Sequence, residues 1–168
     1  YVLRLAKRTP RQGVSVTVVV PARNEAGNIA DILRRVPKMG VRTELIFVEG
    51  GSTDDTWATI QREVAAYSGP LEVVSCRQPG QGKGDAVREG FARATGDLLM
   101  ILDADLTVVP EDLPKFLAAA TTGVGDYVQG TRMVYPMEGG AMRFLNQLGN
   151  VAFSRLFTFL LNQRIKDT

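Results

Sequence analysis

The chain contains no histidine and a single cysteine, Cys76. A Ser-His-Asp triad, a Cys-His pair and a His-ligated zinc centre are therefore excluded. One thiol makes neither an intrachain disulfide nor a Cys-rich metal site, and this fits a reducing compartment. A metal bound here has to be held by oxygen, which points to Mg2+ or Mn2+. Long apolar runs are also missing. Nothing approaches the ~18 residues of a membrane span, and the longest candidate, residues 141–161, is interrupted by Arg143, Asn146, Gln147, Asn150 and Arg155. No signal-peptide pattern is visible. The first residue is Tyr1 rather than Met, so the chain is expected to be part of a longer protein.

Net charge is small as well, +2 from 20 basic and 18 acidic residues among 168, and the composition is that of one soluble globular domain. The near-neutral value conceals a segregation. Residues 1–13 carry Arg4, Lys7, Arg8 and Arg11 without an acid, residues 14–140 hold 12 basic and 17 acidic residues, and residues 141–168 return to +3. Basic ends flanking an acidic middle suggest anionic partners, or else solvated termini without a role. The division expected from this pattern is a basic N-terminal segment (1–13), an acidic core (14–140) and a basic, amphipathic segment (141–168).

Short β-rich runs alternate with helical periodicity. Residues 14–20, 44–48, 71–75, 98–102 and 127–130 read as strands, nearly continuous in apolar character, as in strands covered on both faces. Helices are expected over 26–36, 54–67 and 84–94 and after Pro110. The alternation implies an α/β fold with a mainly parallel sheet between helices. In such sheets ligands bind beyond the carboxyl ends of the strands. Attention therefore falls on Pro21, Ala22, Arg23, Asn24 and Glu25, on Glu49 to Asp54, on Asp103, Ala104 and Asp105, and on Thr131 and Arg132.

Asp103 and Asp105 directly follow the apolar run LLMIL. Read as extended backbone, they point to the same side, so both can face one divalent cation. The alternative is a pair of exposed turn acids. Residues 77–86 (RQPGQGKGDA) form a glycine-rich stretch with Lys83 ahead of a helix, a physically reasonable phosphate cradle. It satisfies neither the Walker pattern nor GxGxxG, and a plain flexible loop is the alternative. Residues 50–56 read as a strand-to-helix turn with its cap. Glu49, an acid ending a buried strand, costs desolvation unless something is bound or paired there.

The runs VVVPARNEAGNI (18–29), VEGGSTDDT (48–56), GKGDAVREGFARATGDLLMILDADL (82–106) and QGTR (129–132) resemble the family 2 glycosyltransferases of GT-A fold, most closely those acting on polyprenyl phosphates, such as the dolichyl-phosphate mannose synthases. The resemblance extends from about Ser15 to Thr168. It implies a Rossmann-like α/β/α sandwich and a metal-dependent inverting transfer of a hexose from a GDP-mannose or UDP-glucose type donor to a polyprenyl phosphate. Implied donor contacts are Pro21, Arg23, Glu25, Glu49, Ser52, Lys83, Asp103 and Ala104. Mg2+ or Mn2+ is implied at Asp103 and Asp105. Two departures stand out: the family commonly has two aspartates where this chain has Glu49 and Gly50, and often a metal-holding glutamine where it has Thr107, which is then the third candidate metal ligand, its hydroxyl serving directly or through water.

Asp105 and Arg132 are the candidate catalytic groups, and Arg132 and Arg143 the candidate clamps for an acceptor phosphate. An acceptor hydroxyl would need a general base, and Glu138 is then the unassigned acid to consider. Residues 141–161 place Phe144, Leu145, Leu148, Ala152, Leu156, Phe159 and Leu160 at helical spacing, a C-terminal amphipathic helix suited to a bilayer interface, with Arg143, Arg155 and Arg164 near lipid phosphates, or to packing within the protein. The expected location is the cytoplasmic face of a membrane, with no nucleic-acid partner. Transfer to a hydroxyl, and a non-catalytic nucleotide-sugar-binding module, remain the alternatives.

Overall fold

The computed structural model describes residues 12–122, 127–130 and 155. The chain divides into two compact units, Tyr1–Tyr127 and Val128–Thr168. The first contains β1 (Val16–Ala22), α1 (Ile29–Arg35), β2 (Thr43–Glu49), α2 (Thr56–Ala66), β3 (Glu72–Arg77), α3 (Lys83–Arg93), β4 (Leu98–Ile101), a 3-10 turn (Pro110–Asp112) and α4 (Leu113–Thr121). All pairings are parallel, and the strand order is β3-β2-β1-β4. The expected α/β architecture is therefore present. Residues 127–130 are not a strand, however, and in the second unit only residues 128–130 and 155 are described. The tyrosine and valine of the YVQG run suit a strand, but pairing rather than propensity makes one.

β1 and β2 are buried along almost their whole length, which explains their unbroken apolar runs. Side-chain alternation divides them between two cores. Val16, Val18, Val20, Leu45 and Phe47 pack with Ile29, Ile32, Leu33 and Ile60 from α1 and α2. Val19, Ile46, Val48 and Cys76 face the opposite way and meet Ala86 of α3. The layers are thus helix, sheet and helix. Gly90 lets α3 lie close to β1, since a Cβ there would stand 2.3 Å from Val19 Cγ1.

β1 runs two residues beyond the expected end and takes in Pro21 and Ala22. Pro21 is tolerated because β4 pairs with β1 only as far as Val19, opposite Ile101, followed by the bond from Leu102 N–H to the Val19 carbonyl. Odd residues of β1 face β4, so the missing N–H of Pro21 falls just past the ladder. β1 and β4 separate at this point, and the gap between them opens.

The far end of the sheet is closed by a buried polar cluster. Glu44 accepts hydrogen bonds from the Thr17 hydroxyl and, at 2.9 Å, the Thr95 N–H, while Arg42 donates to the Thr95 hydroxyl and pairs with Glu72 at 2.7 Å. Thr17 in turn accepts from the Gly96 N–H. This joins the turn between α3 and β4 to β1 and β2. Burial pushes the Glu44 carboxyl up, but the bonds from Thr17 and Thr95 and the Arg42 charge outweigh it and hold it below the usual carboxylate range. A depressed folded value means that Glu44 contributes its full stability above the unfolded value near 4.5 and loses it as pH falls through the folded one. Glu44→Gln is expected to destabilise the fold by about 1–3 kcal/mol at pH 7. The difference from wild type should narrow below pH ~4, and urea titrations at both pH values measure it.

Candidate functional site

A cleft of about 250 Å3 lies beyond the carboxyl ends of the strands, lined by Pro21, Ala22, Arg23, Glu25, Gly50, Gln78, Gly82, Lys83, Ala86, Asp103, Ala104 and Asp105. It sits where the strand order reverses, between β1, which leads outward to β2 and β3, and β4 on its other side. Ligands of open α/β sheets bind at this switch point because the loops leave β1 and β4 in opposite directions. Seven of the expected donor and metal residues therefore meet in one opening: Pro21, Arg23, Glu25, Lys83, Asp103, Ala104 and Asp105.

The Asp-Ala-Asp segment is a tight turn rather than the extended stretch expected from the sequence. Leu106 N–H donates to the Asp103 carbonyl at 3.2 Å, and Leu106 adopts φ +56°. A left-handed leucine is costly, and its side chain offsets the cost by packing against the core. The turn leaves Ala104 buried and both carboxylates on the cleft wall. Thr107 donates both its N–H, at 3.0 Å, and its hydroxyl, at 2.9 Å, to Asp105 Oδ1, so it orients that carboxylate. On the opposite wall Lys83 Nζ lies 2.6 Å from Asp103 Oδ1. Lys83 is the first residue of α3, which follows Gly82 at φ +82° and has no side-chain cap, so its N-terminal N–H groups favour an anion.

Among the described residues no group of three or more His, Cys, Asp or Glu side chains converges as a metal cage. Two carboxylates and a threonine hydroxyl make a hard oxygen set. That number of protein ligands fits a Mg2+ or Mn2+ ion whose shell is completed by substrate phosphates and water.

Glu49 and Ser52 are placed differently from the residues above, since neither lines the cleft. Glu49 is 4% exposed, accepts a hydrogen bond from Ser52 N–H, and meets Arg77 Nε at 3.4 Å. The Arg77 guanidinium lies over the Trp57 ring, 4.7 Å from its centroid. The desolvation that singled out Glu49 is thus compensated from within the protein. Ser52 fastens the first loop to the second by accepting from Asn24 N–H at 3.0 Å. Asn24, at φ +57°, accepts from Thr53 N–H at 2.8 Å. Glu25 N–H donates to the Thr56 hydroxyl, whose own proton goes to Asp54, and that bond chiefly holds the Asp54 carboxyl below its ordinary range.

Gln78 was not anticipated. It lines the cleft, donates from Nε2 to the Gly80 carbonyl at 3.1 Å, and keeps a buried Oε1 with no protein partner among the described residues. Nothing in the run RQPGQ distinguishes it from its neighbours. Arg132, Glu138 and Arg143, and the proposed helix over 141–161 apart from Arg155, lie outside the described residues.

Residues 17–168 match the family described as Glycosyl transferase family 2. The chain belongs to that family. It is 37% identical over 154 residues to the glycosyltransferase AglJ of Haloferax volcanii, covering 91% of this chain and 47% of the relative. It is 33% identical over 123 residues to a dolichol-phosphate mannosyltransferase of Pyrococcus furiosus, covering 72% of this chain and 34% of the relative. A mannosyltransferase from Pyrobaculum calidifontis, solved in complex with GDP-Man and Mn2+, superposes with a TM-score of 0.53 and 28% identity over 73% of this chain and 37% of that one. The fold is therefore the GT-A type of these transferases. The chain spans between a third and a half of the length of these relatives.

In this family member the two acids of the strand ends have separable tasks, and stability separates them. Glu49→Ala strips the Ser52 N–H and Arg77 of a buried partner and is expected to cost about 1–3 kcal/mol. Asp105→Ala, on an exposed turn, should stay within about 0.5 kcal/mol of wild type. Denaturant midpoints at unchanged slope measure both.

Proposed function

We propose that this chain is the donor-binding part of a metal-dependent inverting glycosyltransferase that moves a hexose from a nucleotide sugar to a polyprenyl phosphate at the cytoplasmic face of a membrane. The observation that carries the reading is the convergence of Lys83, the uncapped start of α3, Asp103 and Asp105 on one opening at the sheet's switch point. A cation, a helix N-terminus and a two-carboxylate metal position within one cleft match a magnesium or manganese nucleoside diphosphate.

In this reading Pro21, Arg23 and Glu25 meet the nucleotide from β1, while Glu49 and Ser52, outside the cleft lining, brace the loops beside it. Lys83 and the α3 N-terminus take the diphosphate, and Ala104, with no polar side chain, leaves room for the sugar. Asp103 and Asp105 hold Mg2+ or Mn2+, with Thr107 aligning Asp105. The bound ion supplies Lewis-acid neutralisation of the departing diphosphate. Lys83 adds positive charge as the bond from the anomeric carbon to the diphosphate oxygen breaks, and the acceptor oxygen forms its bond from the opposite face, which inverts the configuration. Arg132 and Arg143 are assigned to the acceptor phosphate. The basic segment 1–13 and the amphipathic segment 141–168 flank the nucleotide-binding core of 14–140.

The acceptor class rests on relatives whose names specify dolichol phosphate, and donor and metal on a neighbour holding GDP-Man and Mn2+. Contact through 141–168 is the form of attachment proposed; among the described residues no helix is long and apolar enough to cross a membrane. The test is transfer by the full-length protein from GDP-mannose or UDP-glucose to a short polyprenyl phosphate in detergent with Mn2+. Transfer is expected, with chelator abolishing it and Asp105→Ala lowering it about 10²–10³-fold. Transfer only to a saccharide hydroxyl would replace the acceptor assignment. Thermal stabilisation by nucleotide sugars without turnover would make this a binding module.

A further inference from the structure

The ion pair across the cleft has a consequence for how metal and nucleotide enter it. Lys83 Nζ stands 2.6 Å from Asp103 Oδ1, with 61% of the lysine side chain and 32% of the aspartate side chain exposed. Both groups are therefore free to exchange partners at modest cost, since exposed pairs of this kind are weak. Asp105 holds its own partner, Thr107, on the same turn, but the threonine N–H and hydroxyl are neutral donors and do not neutralise its charge. Of the three carboxylates lining the cleft, Glu25, Asp103 and Asp105, Asp103 alone is charge-compensated by a protein cation among the ion pairs of the described residues.

We propose that Lys83 is a resident stand-in for the divalent cation, occupying Asp103 until a nucleoside diphosphate draws it away. This rests on the donor-site reading above and adds to it an order of events. Without nucleotide, Lys83 blocks one carboxylate oxygen and sets a positive charge beside the metal position, so a divalent ion alone binds weakly. A diphosphate arriving at the α3 N-terminus presents stronger acceptors to Nζ. Lys83 turns to it, Asp103 is released, and protein and phosphate oxygens together complete the donor set. Metal and nucleotide then strengthen each other's binding, and linkage requires the effect to be reciprocal. The same exchange keeps the acidic turn from collecting stray divalent ions or repelling an incoming anionic donor.

The test is equilibrium binding of Mn2+, followed by the electron paramagnetic resonance of the free ion, with and without saturating GDP or UDP. Wild type is expected to bind Mn2+ weakly alone and roughly 5- to 150-fold more tightly with nucleotide. Lys83→Met should bind Mn2+ alone several-fold more tightly than wild type, on the order of the lower end of that range, and gain less from nucleotide. Lys83→Arg should behave as wild type. Arg88→Met, which removes a positive charge from the same helix where Arg88 pairs with Asp85, should leave Mn2+ affinity unchanged. Circular dichroism confirms that each variant is folded. If Lys83→Met binds Mn2+ no more tightly than wild type, or if Arg88→Met gains as much, the exchange is overturned while the donor site stands. If wild type binds neither GDP nor UDP with Mn2+, the donor-site reading fails and the exchange with it.

Discussion

The site depends on one constraint: β1 pairs along all seven of its residues with β2 but along only four with β4. The shorter ladder ends at Val19, and from there the two backbones separate with Pro21 on one side and Asp103 on the other. Had β4 continued to the level of Ala22, its extension would occupy the space that now receives a ligand. Pro21 enforces the stop, because it has no N–H to offer a longer partner strand. Burial of β1 on both faces then fixes one lip of the opening. Val18 and Val20 are locked against α1 and α2 while Val19 is locked against α3, so that lip does not move without disturbing a core.

Charge is distributed to match. At the far end of the sheet Glu44 is sealed among Thr17, Thr95 and the Arg42 charge, and at the near end Glu49 is sealed between Ser52 and Arg77. Both acids act as fasteners, one for the turn entering β4 and one for the turn entering α2. The acids facing the cleft are held by lighter contacts that a ligand can replace. A carboxylate near the end of a buried strand therefore carries no single meaning. The exposure of the carboxylate itself, 4% for the Glu49 side chain against 32% for that of Asp103, separates scaffold from site, since the cations facing them are equally exposed.

Much of this was legible in the residues. Alternating apolar runs and helical periods suffice for the parallel sheet, because strands covered on both faces cannot avoid continuous hydrophobicity. The rule that ligands sit beyond carboxyl ends then located Asp103 and Asp105 without any coordinates, and the glycine-rich stretch ahead of a helix located Lys83. Three things were not legible. The YVQG run has strand propensity without a strand, since pairing partners are not encoded locally. The Asp-Ala-Asp turn depends on Leu106 accepting a left-handed backbone, which its own identity disfavours and only core packing permits. Gln78 became distinctive only when the fold buried its Oε1, because burial and partnership are properties of the tertiary arrangement.

Under the proposed function, the acceptor's own ionisation decides whether a protein base is needed. Attack by a sugar hydroxyl requires a base placed to take its proton. Each carboxylate on the described cleft wall is already engaged. Glu25 accepts from Asn28 Nδ2 at 2.7 Å, Asp103 pairs with Lys83, and Asp105 accepts twice from Thr107. Two of these three are assigned to the metal, so recruiting one as a base would take it from that task. A phosphate monoester arrives with its second ionisation near pH ~6 already complete at neutral pH, and so brings its nucleophilic oxygen deprotonated. Cationic positioning is then the remaining requirement, and arginine meets it by bidentate contact without titrating. Under the proposed reading, the arginines at 132 and 143 are the groups that would position such an ionised acceptor.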